Sequence, residues 1–204
     1  MNNYIVINNH RIELTEEQVT QIIAAQNPAS PSIQLSEVVA GDTFKIGEHE
    51  FIVLEQSGDT TAIIRKELLP DTAFGKTNRY TDSKVDEACN AFADEIEAIV
   101  GEESIVQHTV DLTSNDGLKD YDTIKRRASL LTADRYRRYV DILDNFKHDD
   151  WWWLATPFST KKHDSDSFVL CVAPSGCVHY GRLCRFEGGV RPFLILKSNI
   201  FVSK

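Results

Sequence analysis

Cys171, Cys177, His179 and Cys184 lie close together near the C-terminus, and thiolates and imidazoles are the ligands zinc prefers. Their spacing argues against a metal. Five residues separate Cys171 from Cys177 and six separate Cys177 from Cys184, whereas zinc sites usually show tight C-x2-C pairs. The four cysteines, Cys89 included, are expected as free thiols, with no metal and no cofactor. His163, Asp164 and Asp166 are the other groups that could move protons, and residues of these types just after a proline-broken strand read as a solvated loop. No Gly-rich phosphate loop, HExxH, GxSxG or CxxC occurs, so no catalytic chemistry stands out.

The elements that would position these groups follow from periodicity. Residues Asn3 to Leu14 read as a hairpin turning at Asn8-Asn9, and Thr15 with Gln18 makes a capping-box start for a helix to about Gln26. The Pro/Ser stretch Asn27 to Ser32 reads as a linker. Residues 1–30 therefore form a hairpin-helix appendage, too small to bury its own core, and 36–204 form the main domain. That domain opens with a meander: Phe44 and Ile46, a turn at Gly47-Glu48, the apolar run Phe51 to Leu54, a turn at Ser57 to Asp59, and Ala62 to Ile64. A helix capped by Ser83 carries Val85, Cys89, Phe92 and Ile96 on one stripe and stops at Gly101, which places Cys89 in the core. A second helix starts after Thr132, with Tyr136, Val140 and Leu143 on one face.

Strands return at Trp151 to Ala155, Phe168 to Ala173, Val178 to Tyr180 and Val190 to Leu196, with a turn at Pro174-Ser175-Gly176. Residues 151–155 and 190–196 are expected to share an antiparallel sheet. Strands, two helices and strands again, without βαβ alternation, specify an α+β fold. The run Asp149 to Phe158 holds every tryptophan of the chain. Alternation sends Trp151 and Trp153 one way and Trp152 and Leu154 the other, so the run is apolar on both faces and reads as a buried strand. Trp152 and Trp153 are then core, and Trp151, beside two aspartates, is the one partly exposed. Arg191, within an apolar stretch, reads as a structural arginine that bridges backbone carbonyls or a carboxylate.

The chain of 204 residues is acidic, with a formal net charge of -9, which excludes it as an ordinary partner of phosphate backbones or anionic membranes. Lys125, Arg126, Arg127, Arg135, Arg137 and Arg138 cluster locally and read as a solvated helix face. The N-terminus shows no signal peptide and no apolar run is long enough to span a bilayer, so a cytoplasmic protein is expected, with a phage particle as another fitting location.

The pieces "LLTADRYRRY", "DDWWWLATPFS" and "GGVRPFLILKSNIF" together resemble a large family of bacterial domains that carry a WWLRSP-like strand and a closing Gly-Val-Arg-Pro-aliphatic strand. The match covers roughly residues 128–202, with weaker agreement over 41–69, and departs where the family's arginine after Trp-Trp-Leu is Ala155. That family is similar to the C-type-lectin-like fold of formylglycine-generating enzymes and of the variable proteins of diversity-generating retroelements. The resemblance implies small antiparallel sheets, two flanking helices and a loop-rich face for ligands. It does not import an activity, since fold alone does not fix function. No calcium-lectin signature such as Glu-Pro-Asn or Trp-Asn-Asp occurs.

From His163 to Phe186 the chain lacks Lys, Glu, Gln, Met and Trp, although about four would be expected from their overall frequency. Pyrimidine-ending codons cannot encode those five types, so the gap fits a retroelement-diversified segment as well as chance in a strand-rich stretch. Alternation in this segment places Phe168, Leu170 and Val172 outward and Val169, Cys171 and Ala173 inward. A binding face of Phe168, Leu170, His179, Tyr180, Arg182 and Arg185, near loop 158–167, is therefore expected to meet a protein or glycan. Two other readings stay open. One is a structural or display protein that oligomerises through residues 1–30. The other is a formylglycine-generating-type enzyme using Cys171, Cys177 or Cys184 as a metal-binding thiol pair.

Overall fold

The computed structural model describes the backbone of residues 4–7, 10–13 and 180–182, and residues 15, 32–179 and 183–204 in full. The N-terminal hairpin is present: β1 (Tyr4–Ile7) pairs antiparallel with β2 (His10–Glu13), Ile7 opposite His10. The helix expected up to Gln26 and the linker up to residue 31 lie outside the described residues.

After β3 (Ser32–Gln34) comes a 3-10 turn at Leu35–Glu37 and the expected meander of β4 (Thr43–Ile46), β5 (His49–Ser57) and β6 (Thr60–Arg65). Next are β7 (Leu69–Ala73), helix α1 (Lys84–Val100), the hairpin β8 (His108–Asp111) with β9 (Thr123–Arg126), and β10 (Ala128–Ser129). Short helices α2 (Ala133–Arg138) and α3 (Val140–Leu143) lead to β11 (Trp152–Pro157), a 3-10 turn at Lys161–His163, β12 (Phe168–Val172) and β13 (Val178–Leu183). The chain closes with β14 (Glu187–Val190), β15 (Phe193–Lys197) and β16 (Phe201–Ser203).

Among the described residues the main sheets are a seven-stranded one, in the order β10-β15-β6-β5-β4-β16-β3, and a five-stranded one, in the order β13-β12-β11-β14-β7. The architecture is α+β, with mostly antiparallel pairing and few helices. No helix of the described residues is long and apolar enough to cross a membrane.

Two apolar layers run through the molecule, and strand alternation assigns side chains between them. Phe51 and Val53 of β5, Trp153 and Ala155 of β11, and Val169 and Cys171 of β12 join the stripe of α1, where Cys89 and Ile96 are fully buried. Ile52 and Leu54, Trp152 and Leu154, and Leu170 and Val172 join Leu131, Tyr136 and Leu143 in the other. The central strands are thus apolar on both faces because both faces are covered. Trp152 is 3% exposed and Trp153 is fully buried, while Trp151 is half-buried with its ring edge-on to His179. The Trp153 indole donates from Nε1 to the Thr72 carbonyl at 2.8 Å and lies so close to Gly188 that a Cβ there would meet it at 3.0 Å. That contact favours glycine at 188, and at 189 a Cβ would meet the Leu68 side chain at 2.4 Å, so β14 carries the Gly188-Gly189 step.

Several expectations need correction. Residues 190–196 do not form one strand beside 151–155. The run divides at Arg191-Pro192: β14 pairs parallel to β11 at Gly189–Trp152, and β15 pairs antiparallel to β6 in the other sheet. Arg191 sits at this crossing, 1% exposed, its Nε donating to the Arg65 carbonyl at 3.0 Å and a second nitrogen to the Lys66 carbonyl at 3.2 Å. Its guanidinium lies over the Trp152 ring, and burial lowers its pKa to about 10. The structural reading of Arg191 therefore holds. The second helix is broken at Tyr139, whose hydroxyl donates to Glu55 at 2.6 Å. The cluster 125–138 is not one helix face: Lys125 and Arg126 belong to β9, Arg126 pairs with buried Asp86, Arg127 with Asp94 and Glu97, and Arg138 with Glu55.

Candidate functional site

Leu170 is 2% exposed, so it cannot meet a ligand. Alternation assigned its side correctly, but Trp152, Tyr136 and Leu143 cover that side. Of the other expected binding residues, Phe168 is half-buried, His179 is exposed beside Trp151, and Arg185 is exposed with its guanidinium over Phe186. Phe168 and His179 stand toward opposite ends of the β12–β13 ladder, opposite Leu183 and Cys171 respectively. The backbones of Tyr180 and Arg182 continue this edge strand, and their side chains lie outside the described residues.

The cysteines do not form a reactive pair. Cys171 and Cys184 are buried, with Cys171 donating to the His179 carbonyl at 3.5 Å, and Cys177 is exposed in the turn. Burial pushes the Cys184 thiol up, away from the thiolate that reactivity requires. Burial likewise raises Cys89 to about 12. Among the described residues no group of three His, Cys, Asp or Glu side chains could hold a metal ion.

Loop 158–167 is instead the centre of a polar network. Asn78 is fully buried and donates its side-chain amide to the carbonyls of Ser159 at 2.8 Å, Phe168 at 2.9 Å and Ser165 at 3.3 Å. Its side-chain oxygen accepts from Tyr121 at 2.8 Å. From the loop between β8 and β9, Asp116 accepts from Ser114 at 2.5 Å, from Ser159 at 2.6 Å and, when the imidazole carries its proton there, from His163 Nδ1 at 2.9 Å. Asp120 accepts from Thr160 at 2.5 Å. These bonds, led by those from Ser114 and Ser159, hold the Asp116 carboxyl well below the ordinary carboxylate range. His163, its side chain 56% exposed, is therefore a member of this network and not a bare loop residue. Ser159, Asp116 and His163 do not form a nucleophilic triad, because Asp116 lies between the other two and keeps the hydroxyl bonded to itself.

Beside this loop pair lies a cleft of about 380 Å³. Its walls are Thr109 and Asp111 of β8, Asn115 of the following loop, Arg135 and Arg137 of α2, and Thr156 of β11. Several of the polar wall groups are held in place. Asp111 accepts from the Thr113 hydroxyl at 2.6 Å and its amide at 2.9 Å, which lowers its pKa. Thr132 caps α2 by accepting from the Arg135 amide, and Thr156 accepts from the Ala133 amide at 2.9 Å. Arg135 stacks on Phe193 at 4.7 Å and donates to the Thr109 carbonyl at 3.0 Å. Phe193 is backed edge-on by His108, itself bonded to Ser129 at 2.8 Å. Arg137 pairs with Asp134 at 2.7 Å.

The residues of this cleft carry no recognisable motif in the sequence. The signal present was the turn-rich run Ser114-Asn115-Asp116-Gly117, with Gly117 at φ 87° and its amide bonded to the Ser114 carbonyl. It marked a built loop but said nothing of what faced it.

No family model, curated protein or solved structure matches this chain.

Proposed function

We propose that the chain is a non-catalytic binding module with a C-type-lectin-like domain, and that the cleft between β8 and α2 takes a glycan. The observation that carries this reading is the composition of the cleft wall. Its lining combines Asp111 of β8 with Asp134, Arg135 and Arg137 of α2, together with threonines, a serine and an asparagine, so donors and acceptors are mixed while the formal charges balance. Asp134 and Arg137 are already paired, and Arg135 is held by a ring and a carbonyl. A site for a phosphate would show an excess of cations. A balanced wall of short hydroxyl, amide and charged groups suits a neutral polyhydroxyl ligand, whose hydroxyls both donate and accept. The volume falls at the lower end of small-ligand pockets, ~300–1,000 Å³. Fixed walls also lessen the ordering cost of binding.

The family resemblance supports a binding module, but the cleft between β8 and α2 is not the expected β12–β13 surface. The enzyme alternative draws no support from Cys171 and Cys184, both buried and the latter's thiol raised.

The test is a glycan array probed with the wild-type chain and with Asn115→Trp, which places an indole at an exposed position on the cleft wall. Selective signals that fall at least about tenfold in the variant, a loss of ~1.4 kcal/mol, are expected. A wild-type chain that binds no glycan, or a variant that binds equally, contradicts the proposal.

A further inference from the structure

The segment Gly75 to Lys84 joins β7 to α1, and its buried Asn78 bonds the Ser159 carbonyl of loop 158–167. Its local pattern is alternating. Asn78 and Tyr80 are fully buried, so the residues between and before them, Lys76, Thr77 and Arg79, are turned to the surface. They border a depression of about 310 Å³ that Thr81, Ser83 and Lys84 also line. Three cations therefore share one small concavity, and Asp82 is the only carboxylate in its lining.

Arg79 differs from most of the described arginines, and Arg185, whose guanidinium lies over the Phe186 ring, is the other one outside their pattern. Arg126, Arg127, Arg137 and Arg138 each pair with a carboxylate, and Arg65, Arg135 and Arg191 each donate to a backbone carbonyl. Among the described residues neither Arg79 nor Lys76 nor Lys84 enters an ion pair, in a chain whose net charge is -9. Lys84 is moreover the first residue of α1, where the helix dipole disfavours a cation. The first turn of α1 does not itself offer a free anion site: Ser83 accepts from the Asp86 amide, and the Asp86 carboxylate accepts from the Asp82 amide and from Arg126. The site stands on its side chains, and the placement of three mutually repelling cations is what a bound anion would relieve.

We propose that this depression binds a dianionic oxyanion group, the phosphate of a phosphomonoester. Arg79 supplies a planar fork for two oxygens, Lys76 and Lys84 supply point charges, and the Thr77 and Thr81 hydroxyls supply neutral donors. Three cations against Asp82 leave a surplus that matches a dianion and not a carboxylate. Buried Asn78 and Tyr80 fix the backbone between them, so the cations are presented on a rigid segment. This inference does not rest on the glycan reading of the neighbouring cleft.

The experiment is a titration of the full chain with sodium phosphate at pH 7.5, followed by amide chemical shifts, with sodium chloride at matched ionic strength as the control. Saturating shifts confined to residues 75–84, absent with chloride, are expected. Lys76→Ala with Arg79→Ala should weaken the apparent affinity at least tenfold at unchanged Tm, and Arg79→Lys should weaken it less. Because a phosphomonoester takes up a proton near pH 6, glucose 6-phosphate should bind more weakly at pH 5.5 than at 7.5. O-phosphoserine, run in parallel, distinguishes a sugar phosphate from a phosphorylated side chain by which binds more tightly. Linear shifts equal to those in chloride, or saturation undiminished in the double variant, overturn the proposal.

Discussion

Trp152 and Trp153 are neighbours in sequence but lie in different apolar layers, one over Arg191 and Tyr136, the other against Phe74 and Gly188. Trp152→Ala should therefore destabilise the chain by ~3–5 kcal/mol, as a large cavity does in a closed core. Urea denaturation measures it, and a loss below about 1 kcal/mol contradicts the packing. His108 carries a second prediction. Burial, with the Arg135 guanidinium close by, lowers its pKa to about 3, against an ordinary value near 6.5. The unfolded chain takes up a proton below about pH 6.5 that the folded chain refuses until about pH 3. Stability is then full above that window and falls as the pH drops through it, with a slope from this group approaching ~1.4 kcal/mol per pH unit. His108→Gln should flatten the slope of unfolding free energy between pH 6 and 4, and an unchanged slope contradicts the assignment. At this scale the sequence was most legible where a residue's chemistry allows few solutions. An arginine in an apolar stretch must find acceptors, and Arg191 finds two carbonyls. Leu170 was not legible, because alternation tells which residues share a side but not whether another layer covers it.

The elements show the same division. Helix α1 was readable from Ser83 to Gly101 because its cap, stripe and stop are all local. The meander was readable because its turns carry Gly47 and Gly58 at positive φ. The split at Arg191-Pro192 was not, since it depends on which sheet accepts each half. The break at Tyr139 was also hidden, as no Gly or Pro marks it and its hydroxyl is held by Glu55, far away in sequence. The β8–β9 hairpin is hidden in the sequence because its strands are short and Lys125 and Arg126 of β9, with the arginines that follow, read as a helix face. Loop 158–167 owes its form to Asn78 more than to its own residues. Asn78→Ala removes a buried donor to three carbonyls and should destabilise by ~1–3 kcal/mol. Hydrogen exchange of amides 159–168 should quicken well beyond that of α1. Equal quickening of both would mean that the loop is not held separately by this side chain.

Across the whole molecule, the acidic charge is unevenly used. Most described arginines are tied to carboxylates or carbonyls, the cleft beside α2 is balanced, and the segment 75–84 keeps its cations unpaired. Fold class and core were legible because they follow from patterning. The cleft was not, because β8, α2 and β11 meet there from separate stretches of sequence. Under the proposed function, ligand meets the chain in this cleft and not on the β12–β13 edge. Amide chemical-shift mapping with the oligosaccharide giving the strongest array signal tests it most directly. Saturating shifts centred on Thr109, Asp111, Asn115 and Arg137 are expected. Shifts centred on residues 178–186, with the cleft amides unmoved, would contradict it.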